Sequence, residues 1–302
     1  MEDIKYDQIT IDRAELPLFS EKGVGVSVLR LDKIHPVISG NKWFKLRYYL
    51  DDAKLQNKKG IITFGGAYSN HIIATAAACA LNGLGSIGII RGKPQAPRSH
   101  TLKAAENYGM KLFFSDYENY KTKELPADIY DYTENEEFYL INEGGYGIKG
   151  VEGAAEILNY CSKEAFSHIC CGVGSGTMMA GLIRASLAKQ SVIGVSILKN
   201  HFLLEQQVRD LLSESPAEKE INIIHDYHFG GYAKQSPELL LFMNEFYKKT
   251  GIPTDFVYTG KLMFAIHDLI QKNFFPPASE ILLIHSGGLQ GNKSLPERTL
   301  MF

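Results

Sequence analysis

"HICCGVGSGTMMAGLIRA", residues 168–185, carries an apolar strand into a glycine turn and straight on into a helix. The turn is Gly172-Val173-Gly174-Ser175-Gly176-Thr177. In such a turn backbone N–H groups converge at a helix N-terminus, where the helix dipole also favours negative charge. That layout is a phosphate cradle. No Gly-Lys-Ser/Thr follows, so it is not a Walker A loop, and Thr177 stands where the dinucleotide fingerprint GxGxxG needs its last glycine. One phosphate monoester fits it better than a nucleotide. The plainer reading of the same residues is a strand-to-helix turn without a ligand.

The alternation continues in both directions. Strand candidates are "GVSVLRL" (25–31), "IITF" (61–64), "SIGII" (86–90), "KLFF" (111–114), "FYLIN" (138–142), "HICCG" (168–172), "VIGVSI" (192–197), "INIIH" (221–225) and "ILLIH" (281–285). Between them lie helical patterns such as "SNHIIATAAACALNG" (69–83) and "SPELLLFMNEFYKKTG" (236–251), the second with a Ser-Pro start and a glycine stop. Continuous apolar strands alternating with helices predict an α/β fold of mainly parallel sheets covered on both faces. The strand count is high for one sheet. Two α/β units are expected, with the polar, tyrosine-rich stretch 115–137 on the surface near a boundary.

Composition narrows the function. The 302 residues are 45% hydrophobic and 22% charged, and 32 Lys+Arg against 34 Asp+Glu leave a net charge of -2. Nothing there pulls the chain towards nucleic acid or an anionic membrane. The polar start "MEDIKYDQIT" does not fit a secretory signal, and no apolar run approaches a membrane span, so a cytoplasmic protein is expected. Cys79, Cys161, Cys170 and Cys171 form no CxxC pair and read as reduced, buried thiols. No histidine cluster has the ligand company that a metal site needs.

Three further stretches bear on chemistry. "TFGGAYSNHIIATAAACALNG" (63–83) repeats the strand, glycine turn and helix; Ser69 is a good N-cap, and free N–H groups from Asn70, His71 and the next residue would suit a carboxylate. "ILLIHSGGLQG" (281–291) ends a buried strand at His285-Ser286-Gly287-Gly288, at the strand end where open α/β sheets place ligands. His285 itself reads as a core histidine. "DYHFGGYAK" (226–234) and "DFVYTGKL" (255–262) each set a tyrosine, Tyr232 and Tyr258, beside glycine. Finally "VISGNKWFKLRYYL" (37–50) places Lys42 after Ser39-Gly40-Asn41 at a helix mouth. A phosphate site, a carboxylate site and a lysine amine are together what pyridoxal 5'-phosphate needs to act on an amino acid.

These elements resemble, in order along the chain, the fold-type II pyridoxal-phosphate enzymes, and among them the family of 1-aminocyclopropane-1-carboxylate deaminase and D-cysteine desulfhydrase. The matching pieces are Gly40-Asn41-Lys42 with Lys45-Leu46, Gly65-Gly66 to Ser69-Asn70, "GVGSGT", "VYTGK" and "HSGG". The resemblance implies two open, twisted, mainly parallel sheets. It also implies a large cofactor-binding domain from residues 1–46 and 151–302, with a smaller α/β domain, 47–150, inserted. Lys42 would be the Schiff-base lysine and the base that moves the substrate proton. Ser69, Tyr232 and Tyr258 would join it in catalysis. Asn70 would meet the cofactor's ring hydroxyl, Val173, Gly174, Ser175, Gly176 and Thr177 would cup its phosphate, and Thr259 would face its pyridine nitrogen. Ser69, Asn70, His71, Ser286 and Gly287 would bind the substrate, a small amino acid. Lys45 and Arg47 read as helix-surface or supporting charges. A homodimer is the family's usual state.

The reaction is read from three positions. Deaminase members carry glutamate, leucine and glutamine where this chain has Thr259, Ser286 and His71. A carboxylate strengthens the electron sink of a protonated pyridine far more than a hydroxyl does. Opening a cyclopropane needs the stronger sink, so α,β-elimination from D-cysteine or a related β-substituted amino acid is expected. Ring opening of the cyclopropane amino acid, β-replacement and a non-catalytic binding module are the alternatives.

Overall fold

A computed structural model describes residues 2–94, 97–125, 129, 137–213 and 219–302. Among the described residues ten strands form two sheets: β1 (Ile11–Arg13), β2 (Gly25–Arg30), β3 (Gly60–Gly65), β4 (Gly85–Arg91), β5 (Lys111–Ser115), β6 (Phe138–Ile141), β7 (His168–Val173), β8 (Ser191–Ser196), β9 (Asn222–Ile224) and β10 (Glu280–His285). The larger sheet runs β1-β2-β10-β7-β8-β9 and the smaller β5-β4-β3-β6. Every pairing is parallel except that of β1 with β2. All nine strands read from the sequence are present. The additional β1 is a three-residue antiparallel edge strand, and its polar pattern Ile-Asp-Arg is too short to announce itself.

Side-chain alternation explains the two-sided burial. On β7, Cys171 joins Ile169, Val173, Leu282 and Ile284 in a core with Met179 and Leu182 of the helix Thr177–Ala185. Its neighbour Cys170 points the other way, into a core with Val28, Leu283 and Ile266 of the helix Thr259–Gln271. Adjacent residues on a strand face opposite sides of the sheet, so these two thiols belong to different layers. All four cysteines are free. Each fully buried aliphatic side chain here contributes roughly 1.5–3 kcal/mol of transfer free energy.

The smaller sheet packs similarly. Ala74, Ala77 and Ala78 of the helix Asn70–Leu81 meet Leu46, Leu50 and Ala53 of the helix Asn41–Leu55, while Tyr120 packs with Ile62, Phe64, Ile87 and Ile89 beneath the opposite face. Both helix caps behave as read: Ser69 accepts from the N–H groups of His71 and Ile72, and Ser236 from that of Leu239, with Gly251 left-handed at the far end. Of the polar stretch 115–137, residues 126–128 and 130–136 lie outside the described residues. Its beginning forms the helix Tyr117–Thr122.

The chain crosses between sheets through the helices Asn41–Leu55 and Ile148–Ala155, which pack on one another. The junctions expected at 46/47 and 150/151 fall inside these helices. The carboxyl ends of β3 and β7 open on one cavity of about 860 Å³.

Candidate active site

Lys42 stands in the first turn of its helix because two loops come unusually close. A Cβ on Gly40 would lie 2.0 Å from the Ser286 carbonyl oxygen, and one on Gly287 would lie 2.5 Å from Ser39 Oγ. Both glycines also have positive φ, 66° and 76°. Only glycine satisfies both demands. The Asn41 N–H donates to Ser286 O at 3.2 Å, fixing the helix mouth against the end of β10. Ser286 and Gly287 therefore act behind Lys42, and neither lines the cavity.

The half-buried Lys42 ammonium donates to Asn41 Oδ1 at 2.8 Å and lies 5.6 Å from the Tyr258 ring centroid. Burial lowers its pKa to about 8, partly opposed by the Asp255 carboxylate. An amine must be neutral to attack an aldehyde. At pH 7 about a tenth of such a lysine is neutral, against about one part in three thousand at the ordinary value. If the cofactor is the pyridoxal phosphate that the sequence resemblance implies, its rate of uptake should rise about tenfold per pH unit up to pH 7 and level off above about pH 8. Stopped-flow absorbance would record this; a rate still climbing tenfold between pH 9 and 10 would contradict it.

Lys45 is a supporting charge and not a helix-surface one. It is only 4% exposed, and its ammonium donates to Ser175 Oγ at 3.3 Å, inside the glycine turn. Burial and the Lys42 charge hold its pKa well below the lysine range. No carboxylate pairs with it among the described residues. The helix Thr177–Ala185 that starts at this turn has Gly176 at its N-cap and no side-chain cap, and Ser175 Oγ lies 3.1 Å from Thr177 Oγ1. A buried lysine amine without a carboxylate partner, an uncapped helix N-terminus and two hydroxyls converge here. A phosphate dianion is the group that would satisfy all three. Val173, Gly174, Ser175 and Gly176 line the cavity.

The carboxylate turn is more committed than expected. Ser69 Oγ takes the N–H groups of His71 and Ile72 at 3.2 and 3.3 Å, so the Asn70 N–H and the Ser69 hydroxyl proton remain to be offered. Gln290 donates to Asn70 Oδ1 at 2.9 Å, which leaves the Asn70 amide N–H groups as its free donors, as a ring hydroxylate requires.

His71 departs from its expected role. Thr63 Oγ1 donates to the Ile141 carbonyl at 2.8 Å and lies 2.8 Å from His71 Nε2, so it must accept from that nitrogen. The proton sits on Nε2, and the buried Nδ1 has only a lone pair, without a partner. Burial and the two lysines push the imidazole pKa well down, keeping the ring neutral. A lone pair repels a carboxylate, so His71 does not serve as a donor to one.

Tyr232 and Tyr258 both line the cavity, with ring centroids 6.2 Å apart at 77°. Fully buried Lys261 holds the loop that delivers Tyr232, donating to the carbonyls of His228 at 2.8 Å and Gly231 at 2.7 Å. Thr259 is also buried, and it does not line the cavity. Its hydroxyl donates to Asp255 Oδ1 and accepts the Asp255 N–H, each at 2.7 Å. Asp255 collects the N–H groups of Val257, Tyr258 and Thr259 as well. His285 is a core residue, bonded to the Pro253 carbonyl at 2.7 Å.

The fold and this cavity define a cofactor-dependent α/β enzyme. Residues 14–287 match the family model described as pyridoxal-phosphate dependent enzyme, and the chain belongs to that family. Its cofactor is pyridoxal 5'-phosphate, and membership sets aside the reading as a mere binding module. A Pyrococcus abyssi protein provisionally named 1-aminocyclopropane-1-carboxylate deaminase is 31% identical over 294 residues, 91% of this chain and 88% of its own. The D-cysteine desulfhydrase of Klebsiella pneumoniae strain 342 is 28% identical over 295 residues, 90% of each chain. The crystal structure of an ACC deaminase homologue superposes with a TM-score of 0.82 at 28% identity, covering 94% of this chain and 90% of that one. The fold is that of the fold-type II enzymes. Among the described residues no helix is long and apolar enough to cross a membrane.

Proposed function

We propose that this chain catalyses α,β-elimination on D-cysteine or a related β-substituted amino acid, giving pyruvate and ammonia and releasing sulfide or another leaving group. For D-cysteine the balance is one water consumed, with one pyruvate, one ammonia and one hydrogen sulfide formed. The observation that carries the reading is the state of Thr259. Its hydroxyl proton is committed to Asp255, and Glu143, paired with Lys123 at 2.6 Å, is the only carboxylate lining the cavity among the described residues. When bound, pyridoxal phosphate supplies an aldehyde that condenses with amines and a ring that withdraws electrons from Cα. Without a free carboxylate in the cavity that withdrawal is modest. It suffices to expel a thiolate and is poorly matched to opening a cyclopropane.

The chain's own groups then divide the work. Lys45, Ser175, Thr177 and the turn from Val173 to Gly176 would hold the phosphate. Asn70 would donate to the ring hydroxylate, and Ser69 with the Asn70 N–H would orient the substrate carboxylate. Lys42 would be the amine that holds the cofactor and the base that moves the α-proton, and Tyr258 and Tyr232, which line the same cavity, would border the substrate. The competing reading, ring opening of 1-aminocyclopropane-1-carboxylate to 2-oxobutanoate and ammonia, is supported by the name of the Pyrococcus abyssi relative. Assays of pyruvate and sulfide from D- and L-cysteine beside 2-oxobutanoate from the cyclopropane amino acid separate the two. D-Cysteine should turn over at least about tenfold faster, the difference that about 1.4 kcal/mol in the barrier makes. Turnover of the cyclopropane substrate alone would overturn the proposal.

The same resemblance supports a cytoplasmic homodimer, a large domain of residues 1–46 and 151–302, and a smaller inserted domain hinged at the two connecting helices. Sedimentation at the monomer mass would remove the dimer.

A further inference from the structure

The cavity has a second charged region. Arg91, the last residue of β4, lines it, and a Cβ on Gly66 would lie 3.7 Å from the guanidinium Nη2. The Arg91 Cζ is 5.8 Å from the Tyr120 ring centroid, and no carboxylate pairs with it among the described residues. Lys123, left-handed at φ 58° just after the helix Tyr117–Thr122, brings its ammonium to 3.7 Å from the same ring and donates to Glu143 Oε2 at 2.6 Å. Tyr120 is 3% exposed, and its hydroxyl is turned towards the Glu143 carboxylate. The groups acting electrostatically on that hydroxyl are Glu143, Arg91 and Tyr232, all of which line the cavity.

Lys123 and Glu143 cancel, so Arg91 leaves one uncompensated positive charge. Its planar fork matches a carboxylate or sulfonate. The phosphate and the ring hydroxylate of the cofactor already have their own partners at Lys45 and Asn70. What remains for Arg91 is an anion carried by the substrate.

We infer that Arg91, with Tyr120 and the Lys123–Glu143 pair beside it, forms an ionic subsite for a single negative charge on the β-substituent of the substrate amino acid. The inference rests on the elimination reading above and refines its substrate class: alanine derivatives whose leaving group itself ends in a carboxylate or sulfonate. In elimination from such a thioether the Cβ–S bond breaks, sulfur keeps the electron pair and leaves as the thiol after protonation, and the α-proton goes to Lys42.

S-Carboxymethylcysteine and its neutral isostere S-carbamoylmethylcysteine differ in that charge alone, and both enantiomers of each serve as probes. Binding is measured by calorimetry on holoenzyme made unreactive by borohydride, and kcat/KM is measured on native holoenzyme. The wild type should favour the anion by at least about fivefold, a modest return for one charge-assisted contact at a partly exposed guanidinium. In Arg91→Gln the anion-to-amide ratio should fall towards one, and Arg91→Lys should restore part of it. A wild-type ratio at or below one overturns the inference. So does a ratio unchanged in Arg91→Gln, which is the result expected if Arg91 instead held the α-carboxylate common to both probes. Turnover of β-chloroalanine to pyruvate reports on the elimination reading separately: its absence, with the binding preference intact, would remove the reaction and leave the anion subsite standing.

Discussion

Lys42→Ala should be colourless when supplied with pyridoxal phosphate, give no borohydride-stable label, and lose at least about a thousandfold in kcat, because both covalent capture and the α-proton transfer depend on one amine. The fold should survive. Lys42 is half-buried and its one hydrogen bond is to the neighbouring Asn41 side chain, so a melting temperature close to that of the cofactor-free wild type is expected. A coloured, borohydride-reducible Lys42→Ala protein would move the attachment site elsewhere, with Lys45 the nearest candidate amine.

Lys45→Met should separate cofactor affinity from chemistry. The charge-assisted hydrogen bonds it would give a phosphate are worth about 1.5–3 kcal/mol, so the dissociation constant should rise roughly tenfold to a hundredfold, while saturating cofactor still yields a yellow protein. The cofactor-free protein should respond in the opposite direction. An ammonium that is 4% exposed, faces one hydroxyl and stands beside a second lysine carries a desolvation cost that methionine of similar length removes. Thermal unfolding of both forms with and without cofactor checks the pair of effects. Weaker holo-protein and stronger apo-protein together mark an anion anchor; destabilisation of both would mark a packing residue.

Legibility differed between fold and site for physical reasons. Strands such as "ILLIH" and "HICCG" are buried on both faces, and a parallel strand of that kind needs an unbroken apolar run that any reading detects. Ser69, Ser236 and Gly251 were equally plain because cap chemistry is local. Residues whose role depends on another segment were not. Lys45 reads from the sequence as a helix-surface or supporting charge, and its place three residues from Lys42 on a helix, hence on the same face, favours the second. Thr259, expected to face the pyridine nitrogen, does not line the cavity. That its proton is engaged by Asp255 follows from a turn geometry that sequence spacing does not reveal. Arg91 and Lys123 belong to no motif. One ends a strand and the other follows a short helix, and they come together only around Tyr120.

Lys261 shares with Lys42 a pKa lowered to about 8 by burial, and the two would lose their protons over the same range. The outcomes differ because of donor arithmetic. Lys261 serves two carbonyls, and a neutral amine still owns two N–H bonds, so the strap on the Tyr232 loop keeps both contacts after deprotonation. Lys42 gains a nucleophilic lone pair from the same event. The enzyme can therefore be mildly alkaline without slackening the segment that borders its substrate, and a titration seen in cofactor uptake reports on one lysine although two are changing.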